Sequence, residues 1–136
     1  KKLLPDAEVT AQICALFVPL IEEGWDDTEP TRAIARNYLA PLVSAEIDTL
    51  VLGCTHYPLM KTVIGNVVGR EVRLIDSAEE TARETAAVLS ERELENTSPD
   101  QARYRFISSD APDTFLSLGQ RFLGSPIDRV ETRTLG

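Results

Sequence analysis

Apolar runs and polar punctuation alternate along the chain in the manner of an α/β protein. Val9 to Ile13 reads as a short strand. Residues 16–24 are an apolar stretch that ends at Glu22-Glu23-Gly24, a loop or a single helical turn, and Trp25 to Glu29 is acidic and turn-like. Thr28 can cap a helix to about Ser44, with Ile34, Tyr38, Leu39 and Leu42 on one face. Pro41 is expected to kink or shorten it. Thr49 to Leu52 is apolar on both faces, as in a parallel central strand. Pro58 suits the first turn of the next helix, whose buried stripe is Leu59, Val63, Ile64 and Val67.

The second half repeats the alternation. Glu71 to Ile75 reads as a strand. Ser77-x-x-Glu80 has the spacing of a capping box that opens a helix to about Leu94, with Ala78, Ala82, Ala86 and Leu89 as its apolar face. Asn96 to Arg103 is a polar loop containing Pro99. Tyr104 to Ile107 is a strand, Pro112 lies in the first turn of a helix from about Asp113 to Leu123 that Gly124 stops, and Ile127 to Glu131 is a last short strand. Strands alternating with helices predict an α/β fold, a three-layer sandwich on a mostly parallel sheet.

Composition narrows the function. At 136 residues and 43% hydrophobic, the chain can bury a core. The formal charge of −8 is spread evenly, because residues 1–76 and 77–136 each hold 11 acids and 7 bases. No basic patch exists for a phosphate backbone, which argues against nucleic acid. No apolar run approaches the roughly 18 residues of a membrane helix, and no signal peptide follows Lys1-Lys2. Cys14 and Cys54 make no disulfide scaffold and both flank apolar runs, so a reducing, cytoplasmic setting is expected.

The chemistry concentrates at Leu50-Val51-Leu52-Gly53-Cys54-Thr55-His56-Tyr57-Pro58-Leu59. A thiol follows a buried strand, the single histidine comes two residues later, and a helical pattern begins. Open α/β sheets bind ligands at such strand ends, and a helix N-terminus there stabilises a thiolate. Gly53 either lets the backbone approach a ligand or permits the turn out of the strand. Thr55 is placed to bind a carboxylate or simply to cap the helix. His56 either packs at the helix start or assists Cys54.

The string Gly-Cys-Thr-His-Tyr-Pro preceded by Leu-Val-Leu resembles the second catalytic-cysteine motif of cofactor-independent glutamate racemases. Phe17-Val18-Pro19-Leu20-Ile21-Glu22-Glu23-Gly24 resembles that family's acidic stretch, and Tyr38-Leu39-Ala40-Pro41-Leu42 and Leu74-Ile75-Asp76-Ser77-Ala78 fall in the family's order. The resemblance is strong from residue 13 to 80 and loose from 95 onward. It implies two similar α/β domains with the active site between them. Residues 1–76 are then part of the second domain, and residues 77–136 return to the first. The complete enzyme is about twice this length, and its first half carries another cysteine in an Asn-Thr context and an Asp-Ser pair, neither of which is present here. The chain, which does not begin with Met, is thus expected to be the carboxyl-terminal portion, inactive alone, and to dimerise or close differently where its missing half would dock.

Racemisation without a cofactor removes an α-proton from one face and returns one to the other, which two flanking bases accomplish. The resemblance makes Cys54 one base, with its partner in the missing half. His56 assists the thiol, supplies a proton or steadies the substrate carboxylate. Glu22 is the assisting acid, with Glu23 beside it; Thr55 and Gly53 contact glutamate. Cys14 lacks the family context and reads as a buried thiol. No cofactor is implied and none is prepared for: Lys1, Lys2 and Lys61 lie in no Schiff-base context, zinc ligands are lacking, and there is no phosphate loop or nucleophile elbow. Two other readings stand: an aspartate racemase, against which His56 and Tyr57-Pro58 argue by resemblance, and a racemase-like binding module without chemistry.

Overall fold

A computed structural model describes residues 5–98, 100 and 102–134. The expectations that fall on Lys1, Lys2 and Pro99 lie outside these residues. Two compact units divide at Glu93 and Leu94.

The first unit begins with an extended segment rather than the strand expected at Val9 to Ile13. Val9 and Ile13 are 75% and 81% exposed, and this segment has no ladder partner among the described residues. Helix α1, Phe17–Glu22, buries Phe17 and Ile21 and ends in a turn at Gly24, whose φ of 77° suits glycine. Helix α2 spans Glu29–Ser44. Thr28 caps it through its hydroxyl, which accepts from the Thr31 N–H at 3.4 Å. Pro41 neither ends nor shortens it. Leu39 and Leu42 are each 3% exposed, and their burial on either side of Pro41 outweighs one missing helical hydrogen bond.

Strand β1, Thr49–Leu52, pairs in parallel with β2, Arg73–Asp76, in the register Leu50 with Leu74 and Leu52 with Asp76. Between them the chain makes a 3₁₀ turn, Tyr57–Met60, and helix α3, Lys61–Val68. Of the expected stripe, Val63 and Ile64 are buried, and Leu59 and Val67 pack against them half-buried. Met60, fully buried, adds to the stripe. Phe17, Ile21, Ala35, Leu39, Leu52, Met60 and Ile64 close the core that α1, α2 and α3 form with β1. Each large side chain among them contributes about 2 kcal/mol by leaving water.

Two further features of this unit differ from the sequence reading. β1 is buried on one face only, since Val51 is 62% exposed. Helix α4, Ser77–Glu91, is capped by Asp76, one residue before the expected Ser77: Asp76 Oδ1 accepts from the Ala78 and Glu79 N–H groups at 2.8 and 3.3 Å. Asp76-x-x-Glu79 has the same spacing as Ser77-x-x-Glu80, and β2 ends at Asp76, which selects that frame. The face with Ala78, Ala82, Ala86 and Leu89 is exposed.

In the second unit, β3, Phe106–Ser108, pairs in parallel with β4, Val130–Thr132, across helix α5, Pro112–Leu123. Gly124 ends α5 with a φ of 62°. Ile127 is buried against Gly119, where an added methyl group would lie 2.9 Å from Ile127 Cδ1. Arg105 grips Glu131 with two hydrogen bonds, at 3.2 and 2.7 Å. The parallel α/β class is borne out; the described strands form two two-stranded pairs.

Candidate active site at the carboxyl end of β1

Leu52 is the last residue of β1, and Gly53, Cys54, Thr55 and His56 follow as a tight loop. The Tyr57 N–H donates to the Cys54 carbonyl at 3.2 Å, and the Leu59 N–H donates to the His56 carbonyl at 3.0 Å. This places Cys54, half-buried and in no disulfide, on the loop just past β1. The α-helix itself begins only at Lys61, so the loop is followed by a short 3₁₀ turn rather than by the helix N-terminus read from the sequence.

Glu22 comes to the loop from the last residue of α1. Its Oε1 is 3.3 Å from His56 Nε2. A carboxylate only accepts, so a proton on Nε2 would face it. The opposite nitrogen, Nδ1, is 3.4 Å from the Thr55 hydroxyl. The cap position of the 3₁₀ turn is His56, which makes no side-chain cap bond, and the Thr55 hydroxyl faces the imidazole. Glu22 is itself held by the turn after it. The Trp25 N–H donates to the Leu20 carbonyl at 2.7 Å, and the buried Thr31 hydroxyl of α2 donates to the Trp25 carbonyl. Gly53 has open space where a side chain would project and does not adopt a positive φ. Neither the turn nor the packing within this chain demands glycine there.

Four of the five residues singled out from the sequence are consecutive on this loop, and Glu22 joins them at His56. Tyr57 was not singled out for its side chain. Its hydroxyl donates to the Cys14 carbonyl at 3.4 Å, and its ring meets Phe17 edge-on at 5.4 Å, with Tyr38 meeting Phe17 at 5.6 Å. Burial first, then the charges that Cys14 and Cys54 carry when ionised, push the Tyr57 phenol up. Tyr57 thus ties the site loop to the segment before α1. Phe17, Tyr38 and Tyr57 lie about twenty positions apart, so no local spacing signals that their rings meet. Cys14 is 5% exposed, and burial pushes its thiol up, which suits a core residue. No group of three His, Cys, Asp or Glu side chains among the described residues converges to hold a metal.

Comparison with known proteins agrees with the motif. No family model matches the chain. The glutamate racemase of Geobacter metallireducens is 50% identical over 130 residues, which cover 96% of this chain and 48% of that protein. That of Neisseria meningitidis serogroup A is 49% identical over 132 residues, 97% of this chain and again 48% of that protein. Among solved structures, glutamate racemase from Francisella tularensis in complex with D-glutamate is 34% identical with a TM-score of 0.86, and it covers 98% of this chain and 50% of that one. The isoform RacE1 from Bacillus anthracis is 31% identical with a TM-score of 0.87 over the same shares. The chain spans about half the length of the curated relatives it matches, a coverage that fits a carboxyl-terminal portion. Along nearly its whole length, then, this chain is homologous to about half of a glutamate racemase.

Proposed function

We propose that this chain supplies one half of a glutamate racemase active site, with Cys54 as one of two bases. As a thiolate, Cys54 takes the α-proton from one face of bound glutamate. A thiol from the other half gives a proton to the opposite face, which inverts the centre and leaves the proton balance unchanged. Glu22 orients His56 and His56 serves the thiol side of the site. The Thr55 hydroxyl and the open backbone at Gly53 receive the substrate carboxylate.

The observation that carries this reading is the convergence of Glu22, from α1, on His56 two residues after Cys54, at 3.3 Å. The D-glutamate bound to the Francisella tularensis enzyme supports glutamate as the substrate class. We further read the division of the racemase domains at about Asp76, association of the isolated chain through its exposed apolar faces, and a cytoplasmic setting for synthesis of peptidoglycan precursors. Among the described residues no helix is long and apolar enough to cross a membrane.

The test is Cys54→Ser in the full-length enzyme that carries this half. Racemisation of glutamate, followed by circular dichroism, is expected to fall by at least about a thousandfold. Unchanged turnover, or turnover of aspartate in preference to glutamate, would overturn the reading. The isolated chain is expected to be inactive and to sediment as a dimer at high concentration.

A further inference from the structure

The site loop meets one residue at both ends, Asp76: its backbone at one end and its carboxylate at the other. At its first end, Leu52 pairs with Asp76 in the β1–β2 register. At its other end, the 3₁₀ turn runs into Lys61, the first residue of α3, and the Lys61 ammonium lies 3.6 Å from Asp76 Oδ2. Asp76 is 4% exposed, and its other oxygen, Oδ1, is occupied by the first turn of α4. Lys61 also bonds Glu79 of that turn, and this bond, with the two carboxylates nearby, pushes its ammonium pKa up. A buried carboxylate without its cation is strongly disfavoured, so the pair is kept together.

We propose that Lys61 and Asp76 are positioning residues that set the span of the loop carrying Cys54 and His56 by joining its two ends. Neither is placed on the substrate. Residues 53–60 must close between Leu52, which the backbone of Asp76 pairs in the sheet, and Lys61, which its carboxylate faces. The catalytic importance of that span rests on the function proposed above; the mechanical claim does not.

The test is peptide-level amide hydrogen exchange on the 136-residue chain, comparing the native sequence with Lys61→Met, Lys61→Arg and Asp76→Asn. Lys61→Met is expected to speed exchange over residues 53–57 by about fivefold, although among the described residues Lys61 bonds only Asp76 and Glu79. Lys61→Arg, which keeps the charge, is expected to return it to within about twofold of native. Asp76→Asn should act in the same direction as Lys61→Met. Because Asp76→Asn also weakens the α4 cap and risks unfolding, Lys61→Met, with its side chain one-third exposed, is the deciding variant. Exchange over 53–57 unchanged in Lys61→Met, with any effect confined to residues 76–80, would overturn the proposal. So would a failure of Lys61→Arg to rescue. If the functional reading failed instead, Cys54→Ser would keep its turnover while the exchange result stood.

Discussion

Glu22 and His56 are 34 positions apart in sequence, and their side chains meet at 3.3 Å, Oε1 to Nε2. The pair forms because α1 ends at Glu22 and β1 delivers His56 just past its last residue. A half-exposed glutamate facing a histidine adds little to stability, because water screens the charges. On the function proposed above, its value lies in orienting the imidazole. Glu22→Gln in the full-length enzyme is therefore expected to lower kcat by about tenfold or more while leaving Tm almost unchanged. A fall in Tm that matched the fall in activity would assign Glu22 to folding instead.

Gly53 offers a cleaner separation of binding from folding. An added methyl group would meet nothing within 4 Å. Gly53→Ala is expected to leave the unfolding free energy within about 0.5 kcal/mol of native. In the full-length enzyme it should raise KM for glutamate, because on the function proposed above the methyl occupies the space where the substrate approaches the backbone. An unchanged KM would remove Gly53 from the binding site.

Phe17 shows how the core reaches the chemistry. It is 1% exposed and meets Tyr38 and Tyr57 edge-on. Phe17→Ala is expected to cost about 3–5 kcal/mol, measured by denaturant unfolding, since it empties the centre of the core. Tyr57→Phe keeps the ring and loses only a long hydrogen bond to Cys14, so about 1 kcal/mol or less is expected. If the two variants cost the same, the ring contacts are not what holds the site loop to the core.

Local signals made most of this unit readable. Thr28 before Glu29 and Pro30 marks a helix start by capping chemistry alone, and α2 begins there. Gly124 marks a helix end through its positive φ. The motif from Gly53 to His56 is contiguous, so its residues meet whatever the fold. What sequence could not reach depends on distant partners. Val9 to Ile13 has the composition of a strand, but pairing needs a neighbour, and composition says nothing about whether one is there. Val51 and the alanine face of α4 are apolar by pattern and exposed in this chain for the same reason. Lys61 carried no signal, because its partners Asp76 and Glu79 follow 15 and 18 residues later and only the β1–α3–β2 crossover brings them close.

The two cysteines should behave as different chemical species. Cys54 is half-buried on an accessible loop, whereas Cys14 is in the core and burial pushes its thiol up. Iodoacetamide applied to the folded chain at neutral pH is expected to label Cys54 and spare Cys14, and denaturant should expose both, as read by peptide mass spectrometry. The buried thiol also sets an alkaline limit. Below about pH 8.5, the ordinary thiol value, Cys14 holds its proton in both the folded and unfolded chain, and its contribution is constant. Above that pH the unfolded thiol ionises while the folded one does not, so stability declines until the pH passes the raised folded value. Cys14→Ala is expected to cost about 1–2 kcal/mol at neutral pH and to flatten the decline that begins near pH 8.5. Tyr57, also pushed up, adds a second decline of the same sign only above about pH 10, where an unperturbed phenol ionises. Labelling of Cys14 in the folded chain, or an alkaline limb identical in Cys14→Ala, would show that Cys14 does not stay protonated in the core.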